Sequence, residues 1–186
     1  MAKETVLVSG GAGYIGSHTT VALIEAGYDV VIIDNLSNSD IGAVEGVRKI
    51  TGVDVPFEQV DCCDKEALRA VFTKYAFNSV IHFAAYKAVG ESVAMPTKYY
   101  HNNLLSFINV VELMKEYHRP NIVFSSSATV YGDAEELPVT ERTPRKPATS
   151  PYGNTKQIAE EVIADYINSG APIKSTFSGV NVIGLN

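Results

Sequence analysis

The sequence predicts an α/β fold built on a doubly wound parallel sheet with helices on both faces. Three observations predict it. Apolar, β-branched runs stand at 5–9, 29–33, 55–60, 79–84, 121–126 and about 173–178, with helix-like stretches between them at 15–26, 40–51, 64–75, 95–118 and 151–168. Strict alternation of this kind implies parallel strands joined by right-handed crossovers. A glycine cluster sits at the first strand-to-helix turn, and polar residues gather where successive strands end. The 186 residues suffice for a real core, and a single domain over 1–186 is expected.

The first strand, Thr5-Val6-Leu7-Val8, runs into Ser9-Gly10-Gly11-Ala12-Gly13-Tyr14-Ile15-Gly16. The glycines read as Gly10-x-x-Gly13-x-x-Gly16 or as Gly11-x-Gly13-x-x-Gly16. One glycine supplies a tight turn because it tolerates positive φ. A second lets the backbone approach a pyrophosphate, and a third lets helix and strand pack closely. The free N–H groups of the helix start then face the anion. This makes the predicted sheet Rossmann-like and the expected cofactor a dinucleotide.

The second strand ends on Asp34, 18 residues after Gly16. A spacing of about 20 places a carboxylate on the adenosine ribose hydroxyls. That carboxylate would repel a 2′-phosphate, and Asn35 and Leu36 supply no arginine to reverse the preference, so NAD is expected rather than NADP. Gly27 and Gly52 fall where helices should stop. Asp61 ends the third strand, and Asp64 is placed to cap the helix that follows. The fourth strand ends in Phe83-Ala84-Ala85-Tyr86-Lys87 and the fifth in Ser125-Ser126-Ser127. Ligands of such sheets bind outside the carboxyl ends of the strands, so this edge is the expected site. The stretch 131–150, rich in Glu, Pro and Thr, is long for a plain connection and is a candidate functional loop.

The last predicted helix opens with Ser150 as N-cap, Pro151 as first helical residue, and Tyr152-x-x-x-Lys156. Four residues apart, Tyr152 and Lys156 share a helix face. Of the ten tyrosines, only Tyr152 has a lysine at that spacing. A phenol is a poor base at its ordinary pKa of about 10. A nearby ammonium and an oxidised nicotinamide would both favour the phenolate. Ser127 is placed to relay a proton between a substrate hydroxyl and Tyr152. Ser127, Tyr152 and Lys156 beside a dinucleotide describe alcohol oxidation, with the base removing a proton as hydride leaves carbon.

Composition narrows the classes. Hydrophobic residues make up 46% and charged residues 19%, which suits a globular chain. The net charge of −6 suggests neither nucleic acid nor an anionic membrane as partner. No apolar run reaches the roughly 18 residues of a membrane span, and Met-Ala-Lys-Glu-Thr does not open like a signal peptide. Cys62 and Cys63 are adjacent, cannot staple the fold, and belong to no zinc ligand set. A cytoplasmic protein without metal is expected.

Several stretches resemble the extended short-chain dehydrogenase/reductase family. They are Gly-Gly-Ala-Gly-Tyr-Ile-Gly-Ser-His (10–18), Asp-Asn-Leu-Ser-Asn-Ser (34–39) and Val-Ile-His-Phe-Ala-Ala-Tyr-Lys-Ala-Val-Gly-Glu-Ser (80–92). Tyr-Tyr-His-Asn-Asn (99–103), Phe-Ser-Ser-Ser-Ala-Thr-Val-Tyr-Gly (124–132) and Ser-Pro-Tyr-Gly-Asn-Thr-Lys (150–156) add to them. Within that family the chain is most similar to the members that invert C4 of a UDP-hexose. Related dehydratases carry Thr-Asp-Glu near 127–129, where this chain has Ser-Ala-Thr.

The resemblance implies roles position by position. Tyr14 and Ile15 would approach the pyrophosphate, with Gly10, Gly13 and Gly16. Asp34, Asn35, Asn38 and Ser39 would sit by the adenosine ribose. Asp61 would reach the adenine amino group, beside Cys62. Phe83, Ala84, Ala85, Lys87, Asn102 and Ser125 would line the rest of the cofactor site. Lys87, Ser127, Ala128, Thr129 and Tyr152 would face the sugar, with Tyr152 as base, Lys156 as its electrostatic partner and Ser127 as relay. The substrate would be a UDP-hexose, and the helices 95–118 and 151–168 would form a homodimer interface.

The chain departs from the family in two places. At 104–107 it reads Leu-Leu-Ser-Phe, where a small pair is usual, so Phe107 needs a different neighbour. After the sixth strand it reads Ser178-Gly179-Val180-Asn181-Val182-Ile183-Gly184 in place of Arg-Tyr-Phe-Asn-Pro, and the segment that grips uridine diphosphate is not recognisable. The expectation is therefore a cofactor domain with the chemistry of an epimerase and the substrate domain missing. The alternative is a stand-alone NAD-binding module without turnover.

Overall fold

The computed structural model describes residues 3–171 and 174–178. Six parallel strands form one sheet: β1 (Thr5–Ser9), β2 (Asp29–Asp34), β3 (Phe57–Gln59), β4 (Ser79–His82), β5 (Asn121–Ser125) and β6 (Lys174–Ser178). Their spatial order is β3-β2-β1-β4-β5-β6. This is the doubly wound arrangement of dinucleotide-binding sheets, with the chain reversing its direction of travel between β1 and β4. The helices are α1 (Tyr14–Glu25), α2 (Ile41–Thr51), α3 (Lys65–Lys74), α4 (Val89–Ala94), α5 (Pro96–Glu116) and α6 (Pro151–Asn168).

Alternate residues of each central strand bury on opposite faces, as the pleat requires. On β1, Leu7 joins a core with Val80, Phe124 and the inner faces of α3, α5 and α6. Val6 and Val8 join a second core with Val30, Ile32 and the α2 residues Val44 and Val47. Both faces of the sheet are thereby covered, which is why its strands read as continuous apolar runs.

The expected stops and starts act locally. Gly52 ends α2 in the left-handed conformation at φ 70°. The Asp64 carboxylate accepts from the N–H groups of Glu66 (3.1 Å) and Ala67 (3.0 Å). Ser150 Oγ accepts from Gly153 N at 3.1 Å, with Pro151 opening α6. The helix expected over 95–118 differs from the prediction. It begins at Pro96, and a separate short helix, α4, precedes it. Proline lacks an N–H and forces the residue before it out of helical geometry; Met95 accordingly sits at φ −132° and ψ 60°. Strand β3 is also shorter than the run at 55–60.

Phe107 finds its room in the core. It is fully buried between His82, at a ring separation of 5.7 Å, and Phe124, at 4.9 Å. Residues 179–184 lie outside the described residues.

Candidate functional site

The turn after β1 is shaped for bare backbone. Gly10 has φ +72°, and a Cβ there would stand 2.7 Å from Ala84 N. A Cβ at Gly16 would run into the carbonyl of Gly10, and one at Gly13 would approach the same oxygen to 3.2 Å. The spacing Gly10-x-x-Gly13-x-x-Gly16 is therefore the one that builds the turn. Gly11 is needed for a different reason: a Cβ there would strike Ile32 Cγ2 at 2.7 Å, within the packing beneath the loop.

A cleft of about 460 Å³ opens at this turn and runs along the carboxyl edge of the sheet. Gly10, Gly13, Tyr14, Ile15 and Gly16 line it from β1–α1, and Asp34, Asn35, Asn38 and Ser39 from the end of β2. Asp61, Cys62, Phe83, Ala84, Ala85, Lys87, Asn102 and Ser125 continue the wall, and Ser127, Tyr152 and Lys156 close it at the other end. Every residue expected at the cofactor lines this one cleft. Ala128 and Thr129, expected to face the sugar, do not. They form a short 3-10 turn (Ala128–Tyr131), in which the Thr129 hydroxyl donates to Ser127 Oγ at 3.0 Å. Thr129 orients Ser127 from the side instead of lining the cavity.

At the β2 end, Asp34 is fixed by the loops around it. Its carboxylate accepts from Ala12 N (3.1 Å), Leu36 N (2.9 Å) and Ser39 Oγ (2.8 Å). Asn35 Nδ2 donates to Asp61 Oδ2 at 3.1 Å, and Asp61 Oδ1 accepts from Cys63 N at 2.8 Å. Two carboxylates thus stand at one end of the cleft, each held in place by backbone and amide donors.

At the other end, Lys156 Nζ donates to the carbonyl of Ser125 at 2.7 Å and lies 5.9 Å from the centre of the Tyr152 ring. Burial pulls the Lys156 ammonium down to about 8, against the opposing pull of Glu160. Burial also raises the Tyr152 phenol above its ordinary value, and the Ser127 hydroxyl draws it part of the way back. The expected acidification of Tyr152 called on both a nearby ammonium and an oxidised nicotinamide. The protein's own groups do not supply it, because desolvation of the phenolate outweighs them. His82, buried against Ser9 Oγ at 2.7 Å, is pushed down to about 3 and is neutral at physiological pH.

Ser37, Tyr86 and Ser126, which stand in the strand-end stretches without an assigned role, also line the cleft, and so do Val60 and Ser106, which carried no clear sequence signal. Two positioning groups behind the wall were also missed. Asn103 on α5 accepts from Tyr86 N (2.8 Å) and donates to Tyr86 O (2.9 Å) and Thr155 Oγ1 (3.2 Å). It locks the loop after β4 to the helix that carries Tyr152. Gln157 Nε2 donates to the carbonyls of Val130 (2.7 Å) and Lys146 (2.6 Å), pinning both ends of the stretch 131–150 to α6. Asn103 stands in the Tyr-Tyr-His-Asn-Asn stretch, four residues before Phe107 on the same helix face, and that spacing was the available signal.

Burial pushes both thiols up, Cys63 to about 11, so neither is a thiolate at neutral pH. Among the described residues no group of three His, Cys, Asp or Glu side chains could hold a metal. No helix among them is long and apolar enough to cross a membrane.

A family model described as GDP-mannose 4,6 dehydratase matches residues 7–177. UDP-glucose 4-epimerase uge1 of Schizosaccharomyces pombe is 55% identical over 167 residues, covering 88% of this chain and 47% of that one. The UDP-glucose 4-epimerase of Bacillus subtilis is 53% identical over 160 residues, covering 86% and 47%. The structure of UDP-glucose 4-epimerase from Bifidobacterium longum, in complex with NAD+ and UDP, superposes with a TM-score of 0.91 at 44% identity, over 93% of this chain and 52% of that one. The chain spans about half the length of the curated relatives it matches. Although the matching model takes its description from a dehydratase, these relatives are epimerases, in keeping with Ser-Ala-Thr at 127–129. The motifs, the strand order and the matched span lead to one conclusion: the chain belongs to the extended short-chain dehydrogenase/reductase family, through the member family described as GDP-mannose 4,6 dehydratase.

Proposed function

We propose that the cleft binds NAD and that Ser127, Tyr152 and Lys156 perform the chemistry of a UDP-glucose/UDP-galactose 4-epimerase. The observation that carries the reading is the convergence of these three side chains at one end of a cleft whose other end is a glycine cradle. The cradle fits a dinucleotide: its glycines let the turn close tightly on its own backbone, so that Gly10, Gly13 and Gly16 line the cleft without side chains at the start of α1, where a pyrophosphate can meet free N–H groups. Gly13, Tyr14 and Ile15 would hold the pyrophosphate and Asp34 and Asn35 the adenosine ribose. Asp61 would hold the adenine, and Lys156 the nicotinamide ribose. Asp34 supports NAD over NADP, because its carboxylate is already fixed as an acceptor and repels a 2′-phosphate. Related epimerases from Bifidobacterium longum and Brucella ovis were crystallised with NAD+ or NAD.

When bound, NAD supplies the acceptor and donor of hydride at C4 of the sugar. Tyr152 takes the proton of the C4 hydroxyl, directly or across Ser127, and gives it back on the return step. Thr129 holds the Ser127 oxygen in register for that relay. Lys156, 5.9 Å from the centre of the Tyr152 ring, would act on the phenol together with the oxidised nicotinamide. The UDP-hexose would be met by Lys87, Ser127 and Tyr152.

The remaining parts of the reading are proposals of the same kind. Residues 1–186 form the cofactor domain. Two copies pair through α5 and α6, whose Ile108 and Ile167 are exposed. A cytoplasmic location belongs to the same proposal.

The test is an ultraviolet spectrum of the purified protein loaded with NAD, with and without UDP-galactose. Absorbance of reduced cofactor that appears only with the sugar nucleotide is the expected result. Cofactor binding with no such signal, at any sugar-nucleotide concentration, would leave a binding module and remove the epimerase.

A further inference from the structure

We propose that Glu160 is a positioning residue of this site: one turn along α6 from Lys156, it clamps the exit of β5 through Ser126 and serves as the counter-charge of the buried Lys156 ammonium. The inference rests on the functional reading above only in taking the Lys156 end of the cleft as the reacting end.

The argument begins with the spacing. Lys156 and Glu160 stand four residues apart, so both project from the same side of α6. Both reach the same strand exit. Lys156 donates to the carbonyl of Ser125, and the Glu160 carboxylate accepts from the hydroxyl of Ser126. Two consecutive residues are held by two side chains of one helix, and the next residue is Ser127, which faces Tyr152. The separation of Ser127 from Tyr152 is thus set by a grip in which Glu160 is one of two fingers. Nothing in the proposed chemistry otherwise uses Glu160.

The charge argument is independent of the grip. A buried ammonium needs an opposite charge or a full set of acceptors. Among the described residues, the hydrogen bond of Lys156 goes to one neutral carbonyl. Its Nζ also lies 4.8 Å from the centre of the Phe124 ring, whose face attracts a cation but carries no net charge. His82 on β4 is neutral and Tyr152 on α6 is a protonated phenol. Ser125 and Ser127 are uncharged. Arg145, from the stretch 131–150, carries the same sign as Lys156 and lies 3.6 Å from Glu160 Oε2. Glu160 is the acid whose charge opposes the desolvation of Lys156, and its side chain is only 16% exposed. Its attraction therefore passes through protein and is weakly screened.

The experiment is a pH titration of the full chain carrying 13C-labelled lysine, with the Lys156 resonance assigned by its loss in Lys156→Met. Glu160→Gln keeps the shape and the hydrogen bond to Ser126 while removing the charge. The midpoint of Lys156 is expected to fall by about one pH unit, as loss of a near opposite charge dictates. Glu160→Asp, which keeps the charge, is expected to recover at least half of that shift. Arg145→Gln, on the exposed side of the pair, is expected to move the midpoint upward and covers the case in which Glu160→Gln does not fold. A Lys156 midpoint unchanged in a folded Glu160→Gln, or one that falls in Arg145→Gln, would overturn the proposal. A purely structural role would alter melting temperature alone. Titration of the wild-type chain with NAD, run in parallel, separates the two readings: absence of binding strikes the functional reading, while the lysine shifts still judge Glu160.

Discussion

Lys156 Nζ lies 2.7 Å from the carbonyl oxygen of Ser125, so an ammonium from α6 is tied to the carboxyl end of β5 inside the protein. The tie makes stability depend on pH in an unusual direction. Burial lowers Lys156 from its ordinary 10.5 to about 8 in the folded chain. Between those values the unfolded chain binds more protons than the folded one, so stability rises with pH across that window. Below about 8 the folded protein carries the full cost of a buried charge. Lys156→Met is therefore expected to raise stability at pH 7 by about 1–3 kcal/mol. The gain should fade as pH approaches 10, and NAD-linked chemistry should be lost throughout. Urea unfolding at several pH values checks the sign.

Tyr152→Phe removes one oxygen from a side chain that lines the cleft. Its hydroxyl is the group proposed to exchange the proton of the C4 hydroxyl, beside Ser127 and Lys156. Turnover of UDP-galactose is expected to fall by about 10²–10⁴-fold, the usual worth of a positioned acid–base group. Cofactor affinity and melting temperature should stay close to wild type, as read by NAD titration and thermal unfolding.

Gly16→Ala and Gly27→Ala separate two uses of glycine. At Gly16 a methyl group would collide with the backbone of Gly10, so the cradle has to open. A loss of about 2 kcal/mol or more, with NAD affinity reduced at least tenfold, is expected. At Gly27, φ is +94° and nothing lies within 4 Å of the added methyl. There the cost is backbone strain alone, about 1–2 kcal/mol, with NAD affinity unchanged. Comparing the affinities of the two variants tests whether the turn is a binding surface.

Asn103→Leu keeps the size of the side chain and removes its polar ends. The Tyr86 N–H and C=O would both lose their partner, and Thr155 would lose a donor. A destabilisation of about 2–4 kcal/mol is expected, since buried polar groups left unpaired each carry a desolvation penalty of about 1–3 kcal/mol. Hydrogen exchange should quicken in the loop after β4 before it quickens in the sheet.

Much of the site was legible because it is local. The glycine spacing specifies a turn within a few residues. Asp64 and Ser150 cap the helices that immediately follow them. Asp34 and Asp61 lie at or just past strand ends, which the apolar runs mark. The start of α5 at Pro96 falls within a residue of the expected 95, whereas the short α4 before it was not expected. Choosing Gly10 over Gly11 as the first glycine of the turn needed the structure, because the neighbours that forbid a Cβ at Gly10 come from Phe83 and Ala84, far along the chain.

The sequence by itself determined the alternation of strands and helices, the edge that carries the chemistry and the Tyr152–Lys156 pair. Each follows from chain geometry over a few residues. Tertiary structure alone decided what those groups became. It set the depth that holds Lys156 near 8 and Tyr152 above its ordinary value, and it tied the Thr129 hydroxyl to Ser127. It also brought Asn103, Gln157 and Glu160 onto partners far away in sequence. The physical reason is that desolvation and hydrogen bonding across elements depend on how the layers pack, and no short window of sequence contains that packing.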